Sequence, residues 1–184
     1  MKILIDIDDV VWNLLDHWIE VLNRTYDLTV SVDDINQWDI KPFFPTLTEK
    51  QIYEPLNYES FWQGVKVKED AVEYIEQLNK YHDIYFVTAT HPRNIGIKYN
   101  LLTKYFPFIN YNQFIVCQDK TMVKGDVLID DKIDNLKDRR FGILYSTFHT
   151  KEVDLTQYSE HIIRFNTWKQ IYLFIETLKY ISTK

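Results

Sequence analysis

Residues 2–11 read KILIDIDDVV, a short apolar run that leads into three acids at Asp6, Asp8 and Asp9. A continuous apolar run of this length is typical of a strand that is buried on both faces of a parallel sheet. We therefore predict a strand over residues 2–7, with the acids at its carboxyl end. Because side chains alternate along a strand, Asp6 and Asp8 are predicted to point in the same direction.

Similar apolar runs recur along the chain and alternate with helical patterns. The predicted strands cover residues 84–88, 114–117, 127–130, 141–145 and 161–165. Apolar residues at helical spacing predict helices over residues 70–80 and 168–181, the second with Thr167 as its N-cap. Strands that alternate with helices predict an α/β fold, here a Rossmann-like doubly wound parallel sheet.

Residues 14–66 interrupt this alternation, because they contain no convincing strand. They show one helical pattern near the start, a short helix predicted from Ser31, and another between Thr48 and Leu56. Since the segment is too long for a simple crossover, we interpret it as a small helical cap inserted after the first strand. The predicted domains are an α/β core of residues 1–13 and 67–184 and a cap of residues 14–66. The alternative is an ornate crossover without a functional role.

The composition excludes several classes of function. The chain of 184 residues carries 21 Lys and Arg against 27 Asp and Glu, and this net charge of −6 disfavours sequence-independent binding of a nucleic-acid polymer. The single cysteine excludes an internal disulfide and a zinc–cysteine cluster. No apolar run reaches the roughly 18 residues of a membrane helix, and Asp6 comes too early for a signal peptide. We expect a cytoplasmic protein without a membrane partner, and a homodimer stays open.

Candidate site residues follow four consecutive strands, at the edge where ligands bind in open α/β sheets. They are Asp6, Asp8 and Asp9 after the first strand, Thr88, Ala89 and Thr90 after the second, Lys120 after the third, and Asp130 and Asp131 at the end of the fourth. Each group alone could cap a helix or form a turn. Together, the carboxylates would repel one another by about 4 kcal/mol per pair at 4 Å and an effective dielectric of about 20. A cation is therefore expected, and Mg²⁺ prefers oxygen ligands, including those of a phosphate group. Lysine and threonine side chains can bind the same phosphate.

These residues resemble the four motifs of the haloacid dehalogenase (HAD) superfamily of phosphatases. Residues 6–10 (DIDDV) resemble motif one, residues 86–88 (FVT) motif two, Lys120 motif three, and residues 127–131 (VLIDD) motif four. Within the superfamily, residues 119–132 (DKTMVKGDVLIDDK) are similar to the 5′(3′)-deoxyribonucleotidases of the cytosolic type C family. The resemblance implies a HAD-like core and a hydrolase that releases phosphate from deoxynucleoside monophosphates.

The same resemblance implies a role for each residue. Asp6 would be the nucleophile that forms an aspartyl-phosphate, and Asp8 the general acid and base. Mg²⁺ would be held by Asp6, the Asp8 backbone carbonyl and Asp131, with support from Asp130. Phosphate would be bound by Thr88, the Ala89 backbone and Lys120. The family usually has glycine where this chain has Asp9 and serine where it has Ala89, so Thr90 is expected to supply the hydroxyl.

Aromatic residues of the predicted cap are candidates for stacking on a nucleobase. They are Trp38, Phe43, Phe44, Phe61 and Trp62. The alternative is that they form the small core of the cap. The five histidines show no metal-ligand spacing, and we interpret them as surface or satisfied residues, although His91 lies on the loop after the second strand.

Other functions stay open from the residues alone. A HAD phosphatase could act on another small phosphomonoester, such as a sugar or glycerol phosphate. A phospho-accepting signalling domain also combines acids, Thr, Lys and Mg²⁺, but in a different chain order and without a helical insertion. A catalytically silent binding protein is the last alternative, against which the intact Asp6 and Asp8 argue.

Overall fold

The computed structural model describes residues 1–137, 139–158 and 160–181, with side chains through Leu178. Its centre is a six-stranded sheet of β1 (Lys2–Ile5), β2 (Asp83–Thr88), β3 (Phe114–Val116), β4 (Val127–Asp130), β5 (Phe141–Tyr145) and β6 (Ile162–Phe165). Every pairing is parallel, and the strand order is β3-β2-β1-β4-β5-β6. This is a doubly wound order, so the predicted α/β parallel sheet is confirmed.

Both faces of the sheet are covered, which explains why its strands are continuously apolar. The helices are α1 (Leu14–Tyr26), α2 (Glu49–Tyr53), α3 (Glu59–Gly64), α4 (Ala71–Asn79), α5 (Ile95–Tyr105) and α6 (Trp168–Ile181). Ile3 and Ile5 of β1 belong to one hydrophobic cluster, whereas Leu4 belongs to a second. Alternate side chains of one strand therefore anchor two separate layers of the core.

The segment of residues 14–66, all of which the structure describes, contains α1, α2, α3 and short 3₁₀ turns but no strand. Local capping fixes these elements: Ser31 Oγ accepts from the backbone N–H of Asp33, and Thr48 forms a capping box with Gln51 at the start of α2. Apolar side chains of the segment join the larger of the two hydrophobic clusters. The segment is thus packed onto the same core as the sheet.

Two details differ from the sequence predictions. Strand β1 ends at Ile5, two residues before the predicted end, because the chain turns sharply and Asp9 adopts a φ of 57°. Helix α5 was not predicted; its buried residues are Leu102 and a lysine, Lys98, so its sequence lacks a clear apolar stripe.

The sheet order places the acidic strand ends beside each other. Strand β1 lies between β2 and β4, and the Asp6 N–H donates to Ile129 O of β4 at 2.9 Å. The carboxyl ends of these strands therefore meet at the topological switch point, where open α/β sheets bind ligands. Among the described residues, no helix has the length and apolar character that crossing a membrane would require.

Candidate active site

Three buried carboxylates meet at the ends of β1 and β4. Asp6 follows β1, whereas Asp130 ends β4 and Asp131 follows it. One oxygen from each of these three residues lies within 4.8 Å of the others, and all three side chains are buried. The predicted convergence of Asp6, Asp130 and Asp131 is therefore what the structure shows.

Lys120 partly compensates this negative charge. It lies in a 3₁₀ turn after β3, where Nζ is 2.6 Å from Asp6 Oδ1 and 2.7 Å from Asp130 Oδ2. Burial alone would lower the lysine pKa, but the two carboxylates outweigh burial and raise it. The Arg139 guanidinium donates to the carbonyls of Lys120 and Val123 and so holds this turn against the sheet.

Asp130 and Asp131 are adjacent but have very different surroundings. Asp130 accepts from Lys120, from the Lys132 N–H at 2.8 Å, and from Asn135 Nδ2 at 3.0 Å to both oxygens. Neither carboxylate oxygen of Asp131 has a hydrogen-bond partner in the described part of the chain, although the residue is only 1% exposed. A buried carboxylate without a partner is costly, which marks Asp131 as a candidate ligand for a cation.

The electrostatics of the cluster lead to the same conclusion. Burial raises the pKa of Asp6 well above its usual value, and Asp130, Asp131 and Asp8 add to the rise while Lys120 opposes it. Burial and the charges of Asp130 and Asp9 likewise raise the pKa of Asp131. A divalent cation would compensate this uncancelled negative charge, so the donor set fits a hard metal ion such as Mg²⁺.

Asp9 replaces the usual glycine of motif one, and the structure explains how. Its φ of 57° lies in the left-handed region, which aspartate tolerates better than most residues with a side chain. In this conformation Oδ1 accepts from the Leu15 N–H at 2.9 Å and satisfies the start of α1. Burial raises the pKa of Asp9 to about 6, although this hydrogen bond and Lys68 oppose the rise.

Asp8 lies at the centre of a second polar cluster. Its Oδ1 accepts from Trp12 Nε1 at 3.1 Å, and its Oδ2 forms a short ion pair with Lys98 of α5. The Lys98 Nζ also lies 3.4 Å from Thr88 Oγ1. Lys98 was not predicted as a site residue, because a lone lysine in a sequence carries no signal that its side chain is buried.

The residues after β2 surround this second cluster. Thr88 is fully buried at the strand end and Thr90 nearly so, whereas Ala89 is exposed. Ala89 lines a cavity that Asp6 and Asp8 also line, and a smaller neighbouring one of about 280 Å³, which Thr90 and Lys98 line as well. The predicted phosphate-binding residues are thus grouped around Asp6 and Asp8, and of these predicted residues only Ala89 borders both cavities.

The larger of these two cavities has a volume of about 390 Å³ and lies between the acids and the helical segment. Asp6, Asp8 and Lys120 form part of its polar wall. Its other wall contains the apolar and aromatic residues Leu14, Leu15, Trp18, Trp38, Ile40, Tyr53 and Leu56. A cavity with acids on one side and apolar rings on the other suits a small ligand with one anionic and one flat apolar part.

The aromatic candidates from the sequence do not share one location. Trp38 is 57% exposed at the cavity, with Lys132 Nζ 5.3 Å from its ring centroid. Phe43 and Phe44 do not line the cavity, because both pack into the hydrophobic core, so the prediction that they face a ligand is corrected. Phe61 and Trp62 are also buried, and Trp62 borders only the smaller cavity.

His149 borders the site, although its sequence position gave no signal for this. It follows β5, and its Nε2 lies 3.3 Å from Asp131 Oδ2, outside hydrogen-bond geometry. Its ring meets the Trp38 ring edge-on with centroids 5.0 Å apart. Burial lowers its pKa, which favours the neutral imidazole. Its neighbours come from other elements of the fold, so sequence spacing could not reveal them.

Comparison with known proteins identifies the family. The family model for the 5′ nucleotidase, deoxy (pyrimidine), cytosolic type C protein matches residues 1–180. The chain belongs to this family. The resemblance of its motifs to the HAD superfamily and to the cytosolic type C nucleotidases is therefore confirmed.

Individual relatives agree with the family. The chain is 33% identical over 172 residues to a 5′(3′)-deoxyribonucleotidase of Bacillus subtilis, covering 92% of this chain and 95% of the relative. It is 31% identical over 176 residues to another of Clostridium acetobutylicum, covering 95% and 94%. A HAD-hydrolase structure from Bacillus subtilis bound to magnesium superposes with a TM-score of 0.58 at 12% identity, covering 94% and 97%. The chain is thus a hydrolase of the nucleotidase class with a HAD-like fold.

Proposed function

We propose that this protein is a Mg²⁺-dependent 5′(3′)-deoxyribonucleotidase that releases phosphate from deoxynucleoside monophosphates. The observation that carries the proposal is the buried Asp6, paired with Lys120 at 2.6 Å and bordering a cavity with an apolar aromatic wall. The names of the relatives from Bacillus subtilis and Clostridium acetobutylicum support the substrate class.

Mg²⁺ would be held by Asp6, by the Asp8 backbone carbonyl and by Asp131. Asp131 is the better candidate for a direct ligand because its oxygens have no hydrogen-bond partner among the described residues. Asp130 already accepts from three neighbours, so its role is to orient Lys120 and the following loop. When bound, Mg²⁺ supplies positive charge that offsets the charge of the transferring phosphoryl group.

The chemistry proceeds in two steps on this chain's own residues. An Asp6 oxygen attacks phosphorus in line, the bond from phosphorus to the ester oxygen breaks, and that oxygen takes a proton from Asp8. Water then attacks the aspartyl-phosphate and gives its proton to Asp8, while the bond between Asp6 and phosphorus breaks. The net reaction converts a phosphate ester and water into an alcohol and inorganic phosphate.

Phosphate would be bound by Lys120 and by the residues after β2. Lys120 offers a fixed positive charge beside Asp6, and the exposed Ala89 can offer its backbone N–H at the cavity. Thr88 and Thr90 remain assigned to hydroxyl contacts near the same loop. The Lys120 ammonium group and the Ala89 backbone N–H would stabilise charge as it develops on the phosphoryl oxygens.

The helical segment of residues 14–66 would act as a cap that selects the substrate. Trp38, Trp18 and Tyr53 provide ring surface at the cavity, with Leu14 beside them. These residues favour a nucleobase over a sugar, because a sugar needs polar partners for its hydroxyl groups. Cytoplasmic location and a homodimer stay predictions.

Phosphate release from a panel of substrates tests the proposal. We expect Mg²⁺-dependent turnover of dUMP and dTMP that EDTA stops, with much slower turnover of glucose 6-phosphate and glycerol phosphate. Asp6→Asn should abolish turnover, whereas the control Asp134→Asn, an exposed acid on the loop after β4, should retain it. Preferred turnover of the sugar phosphates, or full activity of Asp6→Asn, would contradict the proposal.

A further inference from the structure

Lys98 is a buried cation close to the catalytic acids, and its burial requires an explanation. It is 2% exposed and lies on α5, whose other buried residue is Leu102. Lysine is rarely buried to this extent unless it is paired, because removing an ammonium group from water is costly. Its partners are Asp8, Thr88 and the ring of Trp62, whose centroid is 5.1 Å from Nζ.

Two donors together fix the orientation of the Asp8 carboxylate. Lys98 donates to Oδ2, and Trp12 Nε1 donates to Oδ1 at 3.1 Å. Because Trp12 is completely buried in the core, it forms a rigid support on one side of the carboxylate. Lys98 holds the other side, so the planar group cannot rotate about its Cβ–Cγ bond without losing one of the two bonds.

The same lysine also orients Thr88. Its Nζ donates to Thr88 Oγ1 at 3.4 Å, which uses an acceptor site of the hydroxyl and leaves the hydroxyl proton available for another acceptor. Phosphate oxygens are such acceptors. One buried ammonium group therefore connects the general acid–base residue to a hydroxyl of the phosphate-binding loop.

We propose that Lys98 is a positioning residue that holds the Asp8 carboxylate in line with the leaving oxygen of the substrate. The proposal rests on the assignment of Asp8 as general acid and base. Trp62 belongs to α3 of the helical segment, so its contact with Lys98 also connects that segment to the position of Asp8. Lys98 does not contact the reacting atoms in this role, and it acts through Asp8.

This role predicts a dependence on the leaving group. In the first step the ester oxygen of dUMP must receive a proton from Asp8 as its bond to phosphorus breaks. The oxygen of p-nitrophenyl phosphate leaves as a stable anion and needs no proton. A misplaced Asp8 therefore slows the first step for dUMP much more than for p-nitrophenyl phosphate. The second step, in which Asp8 takes a proton from water, is common to both substrates.

The test compares Lys98→Met with wild type on these two substrates. For dUMP we expect kcat/KM to fall about 100-fold, the loss typical of a misplaced catalytic group. For p-nitrophenyl phosphate we expect kcat/KM to change less than about threefold, because departure needs no proton. Its kcat should still fall, with a stoichiometric burst of nitrophenolate before the slow hydrolysis of the aspartyl-phosphate. Equal losses of kcat/KM on both substrates, or no loss, would overturn the proposal.

A double-mutant cycle tests whether Lys98 acts through Asp8. In an Asp8→Asn background, Lys98→Met should lower kcat/KM for dUMP by less than about threefold further, because the effects of residues that act as a unit do not add. Lys104→Met is the matched control, since Lys104 is an exposed lysine on the same helix, and it should behave as wild type. Lys98→Arg keeps the charge, so its kcat/KM for dUMP should fall less than that of Lys98→Met. If Lys98→Met does not fold, the two substrates are compared on Lys98→Arg instead. Equal losses of kcat/KM on both substrates in that variant would overturn the role of Lys98.

Failure of the proposed function would give a different result. In that case wild type itself would not release phosphate from either substrate, or Asp6→Asn would retain turnover. An active, Asp6-dependent wild type together with equal losses in Lys98→Met would leave the hydrolase intact and remove only the role of Lys98.

Discussion

Replacing Asp131 with asparagine should stabilise the metal-free protein and remove its response to Mg²⁺. Asp131 is 1% exposed, and its carboxylate oxygens have no hydrogen-bond partner within the described ranges. Asp6 and Asp130 are its charged neighbours within the cluster, Asp9 adds to the repulsion, and Lys120 compensates part of this charge. Without a cation, the side chain therefore destabilises the folded state. Asparagine has nearly the same shape and carries no charge.

The magnitude follows from the distances. At a separation of 4.8 Å, the largest in the cluster, two carboxylates repel by about 3.5 kcal/mol at an effective dielectric of about 20. Lys120 cancels one of the two neighbouring charges, so about one such repulsion remains. The raised pKa of Asp131 lets it take up a proton and avoid part of this cost. We expect Asp131→Asn to gain about 2 kcal/mol, which is roughly 4–8 °C in Tm for a chain of this size.

Magnesium should make wild type more stable than Asp131→Asn, which reverses their order of stability in EDTA. A ligand that binds only the folded state at about 1,000 times its Kd adds about 4.1 kcal/mol of stability. Wild type should gain this amount, whereas Asp131→Asn should gain almost nothing because it lacks the ligand. Wild type then becomes the more stable protein by about 2 kcal/mol, the difference between these two effects.

Thermal unfolding in EDTA and in a magnesium titration measures both effects. Asp134→Asn is the control: Asp134 is an exposed acid of the same loop that pairs with Lys137 at 2.6 Å, and its loss should change stability by less than about 1 kcal/mol in either buffer. The reasoning is refuted if magnesium stabilises Asp131→Asn as much as wild type. It is refuted equally if wild type in EDTA is the more stable of the two.

Three further changes test other parts of the site. In EDTA, Asp9→Asn should be more stable than wild type by up to about 3 kcal/mol near neutral pH, because the folded-state pKa of Asp9 is raised to about 6 and the folded protein therefore disfavours its charged form. This difference should vanish as pH falls from about 6 to about 4, the range in which the folded protein takes up the proton before the unfolded chain does. Urea unfolding across this pH range measures it. Trp38→Ala should raise KM for dUMP about tenfold if its ring stacks on the base, as steady-state kinetics will show. The inhibition constant of inorganic phosphate, which has no ring, should stay nearly unchanged. Asn135→Ala removes a donor to both oxygens of Asp130 and should destabilise the protein by about 1–3 kcal/mol in thermal unfolding.

The strand ends were predictable because parallel strands obey a simple rule. A buried run such as residues 2–5 or 127–130 must be covered on both faces, and its carboxyl end lies where ligands bind. The acids Asp6, Asp130 and Asp131 could therefore be brought together from their positions after such runs. The order of the motifs along the chain added Lys120 and the residues after β2, but it gave no signal for Lys98 or His149.

The aromatic residues could not be separated in the same way. Trp38 and Phe44 are both large apolar residues in irregular segments between short helices, yet Trp38 is 57% exposed and Phe44 is 1% exposed. Burial in such a segment depends on how it packs against the sheet, and no periodicity encodes that packing. The correction of Phe43 and Phe44 is therefore a consequence of tertiary structure.

Charge balance favours a cation site beside Asp131. Asp9 lies near Lys68; among the other described acids, Lys98 pairs with Asp8 and Lys120 is shared between Asp6 and Asp130, so two lysines face four acids once Asp131 is included. The described cluster therefore carries about two uncancelled negative charges, and Mg²⁺ would cancel both. A third lysine in place of the metal would cancel only one and would occupy the space that a phosphate needs. The position of each lysine thus favours a divalent cation beside Asp131 and leaves Asp6 accessible from the cavity for attack on phosphorus.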